Sequence, residues 1–124
     1  MKIDPVLMER ARLIVRKGAD FLNNSKSANK RHRWHENVRI PDLKQSSGFH
    51  CLLAHVFGDY WKGLAALRFA NEGANSFTQL TDSEIEFIAE YGFALGRKYM
   101  TWEALEVAWI EKINLIRNPY HGVL

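Results

Sequence analysis

Residues 50–68 read HCLLAHVFGDYWKGLAALR, and the period of this stretch decides the fold class. At about 100° per residue, Leu52, Leu53, Val56, Phe57, Tyr60, Leu64 and Leu67 fall within one broad face, the mark of an amphipathic helix turned toward a core. This segment is expected to be the central helix. Gly58 and Gly63 inside it each cost about 1 kcal/mol relative to alanine, and Gly58 is where a kink is expected.

Upstream, Asp4 before Pro5 marks a helix start: the carboxylate accepts from orphan backbone amides, and proline sits where its missing donor costs nothing. The first helix is expected to run to about Asn23, with Leu7, Ala11, Ile14, Gly18, Phe21 and Leu22 as its apolar stripe and Arg12, Arg16 and Asp20 opposite. Ala11 and Gly18 allow a neighbour to approach closely. Downstream, Thr81 and Glu84 have the spacing of a capping box and open a third helix, in which Ile85, Ile88, Ala89 and Leu95 face inward and Gly92 or Gly96 is the terminator. Thr101 caps a last helix with the stripe Trp102, Leu105, Trp109, Ile113 and Ile116, stopped by Asn118 and Pro119. Val107 and Ile110 fall off that stripe and leave room for a partner or homodimer surface. The expectation is an all-α, single compact domain over 1–124, with about four principal helices and a long basic loop between the first and second. Its core should hold Phe21, Leu53, Phe57, Tyr60, Ile88, Leu105, Trp109 and Ile113.

With 124 residues, 47% hydrophobic and 25% charged, the chain suits one core and is short for two. Its single cysteine, Cys51, excludes an internal disulfide and fits a reducing cytoplasm. Glu9, Arg10, Arg12 and Arg16 interrupt the N-terminal apolar residues, and no stretch approaches the ~18 apolar residues of a span, so neither secretion nor membrane insertion is expected. The net charge of +3 is uneven: residues 1–39 hold ten Lys/Arg against four Asp/Glu, and residues 40–124 hold seven against ten. That asymmetry permits an acidic partner on the N-terminal side without requiring one.

Residues 24–39, NSKSANKRHRWHENVR, follow neither helical nor strand period and hold five Lys/Arg and two His against one Glu. A loop or mobile arm is expected, its far end tied to the core by Trp34, Val38, Ile40 and Leu43. Lys26, Lys30, Arg31, Arg33, Trp34 and Arg39 are the candidate partner-binding residues. Cations interleaved with Trp34 suit nucleic acid through phosphate contacts and base stacking, and suit an acidic protein through electrostatic steering. The acidic C-terminal half weighs toward the protein.

Cys51, His55, Asp59 and Lys62, spaced four, four and three, would share one face of the central helix opposite its apolar stripe. This secondary candidate face holds a thiol, an imidazole and a carboxylate, the groups of a small Cys/His enzyme or, with His50, of a metal site. Side chains one turn apart on a straight helix seldom converge, and no second His/Cys cluster completes a set. No catalytic residue, metal or cofactor is expected. His32, His35 and Glu36 have metal-like spacing but sit among Lys30, Arg31, Arg33 and Arg39, whose charge opposes a dication. Asp82, Glu84, Glu86, Glu90, Glu103, Glu106 and Glu111 read as helix-start charges and solvated faces, and the intervening Arg97 and Lys98 break any mimicry of a nucleic-acid backbone.

The run from Cys51 to Gly63, with Gly58-x-Tyr60-x-x-Gly63 inside it, followed by Tyr91-Gly92-Phe93 and then Leu105, Trp109 and Ile113, resembles small uncharacterised proteins encoded by bacteriophages and actinobacterial genomes. The likeness covers roughly residues 49–116; Ala54-His55 stands where that group has Gly-Gln, and the basic loop is not a feature of it. The resemblance implies a mobile-element origin and carries no assigned activity. Together with the small size, it leads to the expectation of a non-enzymatic phage-type protein that binds and modulates a host or defence protein in the host cytoplasm. A nucleic-acid-binding accessory protein using the basic loop is the alternative, and a small enzyme centred on Cys51 and His55 is the further one.

Overall fold

Asp4 caps the first helix, its Oδ1 accepting from the Val6 amide at 2.8 Å, and α1 runs over Pro5–Asn23. In the computed structural model, which describes residues 3–48, 50–96 and 99–119, α1 is followed by α2 (Leu52–Phe57), α3 (Tyr60–Ala66), α4 (Asp82–Ala89) and α5 (Trp102–Arg117). Short 3-10 turns occupy Trp34–Asn37, Ile40–Asp42 and Phe77–Gln79, and no strand occurs among the described residues. The fold is all-α, as its periods predict. No helix among the described residues is long and apolar enough to cross a membrane.

The expected central helix is two helices. Gly58 adopts φ +92°, a left-handed geometry that ends α2 with its amide bonded to the Ala54 carbonyl at 2.7 Å. Asp59 then caps α3, its Oδ1 accepting from the Trp61 and Lys62 amides at 2.8 and 3.0 Å. The chain therefore turns where a continuous 100° period would carry it straight on. The apolar face survives the break because α2 and α3 pack on each other: a Cβ at Gly63 would lie 2.9 Å from Leu53 Cβ.

One core gathers Leu7, Ala11, Val15 and Leu22 from α1, Leu52 and Leu53 from α2, Leu64 from α3, Ile88 from α4, and Leu105, Trp109 and Ile113 from α5. Gly18 permits the tightest contact, since a Cβ there would fall 2.0 Å from the Tyr91 carbonyl oxygen and 3.0 Å from the Trp109 ring. Phe21 and Phe57, expected in the core, are only partly buried and pack around it. Thr81 and Glu84 form the expected reciprocal cap of α4, and Gly92, at φ +80°, turns the chain beyond it; Leu95 lies past the end of that helix. Thr101 Oγ1 caps α5 by accepting from the Ala104 amide at 3.1 Å. Val107 and Ile110 are half-buried against the core.

Buried side-chain donors converge on two adjacent carbonyls. Trp109 Nε1 and Gln45 Nε2 both donate to Gly92 O, at 3.2 and 3.4 Å, while the Tyr60 hydroxyl donates to Phe93 O at 2.7 Å. Gln45 also accepts from the Leu52 amide at 2.7 Å, which satisfies the first turn of α2. The Gly58-x-Tyr60-x-x-Gly63 pattern is thus explained residue by residue as a helix stop, a buried hydroxyl tie and a close helix contact.

Candidate functional site

Residues 24–39 form an anchored loop rather than an arm. Trp34 is fully buried, its Nε1 donating to Asn23 Oδ1 at 2.8 Å and its ring meeting Trp109 edge-on with centroids 5.9 Å apart. Asn29 fixes the approach to it: its side-chain amide donates to the Leu22 and Ser25 carbonyls, both at 2.7 Å, and its oxygen accepts from the Trp34 amide at 2.9 Å. From α5, the Arg117 guanidinium donates to the backbone carbonyls of His35 and Val38. Val38 and Leu43 are buried and Ile40 is partly so, matching the expectation that the far end is tied down.

This anchoring sorts the predicted contact residues into two groups. Lys26, Lys30, Arg31, Arg33 and Arg39 are all exposed. Arg39 pairs with Asp42 at 3.2 Å, whereas Lys26, Lys30, Arg31 and Arg33 have no ion pair among the described residues. Trp34 belongs to the other group, and the reading of it as a base-stacking ring is corrected: its indole is spent on the core. Lys26, Lys30 and Arg33 line an open groove of about 880 Å³ together with Asn23, His35 and Ile116. Burial lowers the proton affinity of His35 below that of a free imidazole; Arg117 and Arg33 act in the same direction, against the opposing pull of Glu36. His35 Nδ1 is buried and makes no hydrogen bond with the described residues.

The secondary face does not survive as one surface, because the break at Gly58 places Cys51 and His55 on one side and Asp59 and Lys62 on the other. Cys51 is 4% exposed, and burial pushes its thiol above the usual range. His55 Nδ1 accepts from the Arg39 amide at 3.1 Å, so Nε2 carries the proton and faces the Asp42 carbonyl at 3.4 Å. The imidazole ties α2 to the loop. Asp59 is spent as a helix cap, and Lys62 is exposed. His32 lies 3.8 Å from Glu36, while His35 is buried beneath the loop, so their metal-like spacing is not realised as a shared site. No group of three or more His, Cys, Asp or Glu among the described residues is arranged to hold a metal ion. Arg97 and Lys98, invoked above against backbone mimicry, lie outside the described residues.

Sequence reading missed the residues that hold the loop in place. Asn29 and Gln45 have no periodic signal, and Arg117 is an unremarked cation in the last turn of α5. The apolar residues Trp34, Val38, Ile40 and Leu43 pointed to an anchor, without showing which polar groups would hold it. Comparison of the chain with family models, curated proteins and solved structures finds no match.

Proposed function

We propose that this chain is a non-enzymatic interaction protein whose basic loop, residues 26–39, docks on an acidic surface of a partner protein. The observation that carries the reading is the burial of Trp34 beneath four exposed cations that have no ion pair among the described residues, Lys26, Lys30, Arg31 and Arg33. An anchored loop presents its charge already ordered, so association loses less conformational entropy than docking of a free arm would. The same burial removes the ring that single-strand recognition needs. A buried, protonated thiol and an imidazole with both nitrogens occupied support a binding role over nucleophilic chemistry. The likeness of roughly residues 49–116 to phage and actinobacterial proteins supports a mobile-element setting, with a host or defence protein of the cytoplasm as the partner.

Affinity capture from a host lysate, with and without nuclease, tests the proposal. A protein partner that survives nuclease and elutes at raised salt is the expected result. Retention that vanishes with nuclease would replace it with the nucleic-acid reading, for which about five neutralised phosphates give a log–log salt slope near −4 to −5.

A further inference from the structure

Arg68 is the non-glycine residue with a positive φ among those described, at 65°. It follows α3 at the position glycine ordinarily fills: the Phe69 amide bonds back to the Leu64 carbonyl at 2.8 Å and the Arg68 amide to Ala65 at 3.0 Å, closing the helix end in a left-handed turn. A side chain there strains the backbone where glycine would not. What the strain retains is an exposed guanidinium lining a second groove, about 580 Å³, with Lys17, Asp20, Phe21, Lys26 and Tyr91. Asn24, Ser25 and Lys26 line both this groove and the one beneath the loop, so the two adjoin. Lys17 is engaged by Glu90 at 3.0 Å, whereas Arg68, Lys26, Lys30 and Arg33 have no ion pair among the described residues.

We infer that Arg68 is an outlying binding residue of the partner face, and that the joined grooves take an extended acidic peptide segment whose carboxylates meet Arg68, Lys26 and the loop cations. This rests on the reading that the basic loop binds an acidic protein. Asp20 lines the second groove and Glu90 sits beside it on Lys17. An unbroken row of phosphates would meet those carboxylates, while a peptide carries acids only where cations wait. The Phe21 and Tyr91 rings pack on each other and on Phe69, with Lys17 Nζ 4.9 Å from the Tyr91 centroid, so they form a floor rather than a free stacking platform.

The probe is a fluorescein-labelled peptide of alternating Glu and Ser, followed by anisotropy at low salt, with thermal melting of each variant. Arg68→Gly should weaken binding about threefold to fivefold, the size of one exposed charge contact, and should raise Tm by about 2–4 °C as the strain is relieved. Arg68→Lys keeps both charge and strain and should retain most of the affinity at the parent Tm. Unchanged binding by Arg68→Gly, or a Tm that stays or falls, overturns the inference. So does failure of the peptide to bind the parent protein, or its displacement by duplex DNA. If Arg31→Glu with Arg33→Glu abolishes peptide binding while Arg68→Gly leaves it intact, the inference fails alone and the basic loop stands as the contact surface. If the double reversal has no effect, the proposed function falls with it.

Discussion

The loop over residues 24–39 and the helix pair over residues 52–66 are held by different means. Residues 24–39 are polar, basic and without period, yet the loop is held at three points, by Trp34 in the core, Asn29 on the end of α1 and Arg117 from α5. Residues 52–66 have a continuous helical period, yet the chain turns at Gly58 into two helices that fold against each other. The difference teaches that period reports which side chains are buried, whereas chain direction is set by single residues. One left-handed glycine and one aspartate cap redirect a helix without disturbing its apolar face. One tryptophan converts a run of surface charge into an ordered surface.

Removing the anchor should have the largest effect. Trp34→Ala deletes a fully buried indole and leaves Asn23 Oδ1 without its donor, for an expected loss of about 3–5 kcal/mol in denaturant unfolding. A change under about 1 kcal/mol would mean that the loop is not held by its ring. Gly58→Ala is smaller but diagnostic by sign. If the helix were continuous, alanine would stabilise it by about 1 kcal/mol; at φ +92° it should destabilise by about 1–2 kcal/mol. A stabilised variant would restore the single-helix reading.

The smallest effect is on pH dependence. His35 binds its proton less readily in the folded chain than in the unfolded one, so the unfolded state takes up more protons as pH falls below the unperturbed value of 6.5. The stability contributed by neutral His35 is therefore complete above that pH and is lost as pH drops through the window beneath it. Melting between pH 7 and pH 5 should show this decline, and His35→Phe should flatten it. An identical decline in the variant would assign it to other groups.

Much of the fold was legible because caps and periods act locally. Asp4, Thr81 with Glu84, and Thr101 cap the helices as their spacing requires, and Leu105, Trp109 and Ile113 are buried as the period of α5 requires. The break at Gly58 was legible only as a kink, since glycine permits a left-handed turn without demanding one. The candidate site was half legible. Its cations could be listed from composition, but whether Trp34 faced them or the core depended on Asn23, Asn29 and Trp109, which are distant or aperiodic in sequence. Arg68 was invisible because it read as the last residue of a helix, and its strain exists only in the backbone turn that follows α3.

The most direct test of the central claim, that an anchored basic loop is the contact surface, is binding of the captured partner by the double charge reversal Arg31→Glu with Arg33→Glu. Both side chains are exposed and outside the core, so the variant should keep the parent circular dichroism and melting temperature. The account predicts that this folded variant loses the partner, chiefly through slower association, and that the parent's affinity falls as salt is raised. Undiminished binding by the folded variant would contradict it.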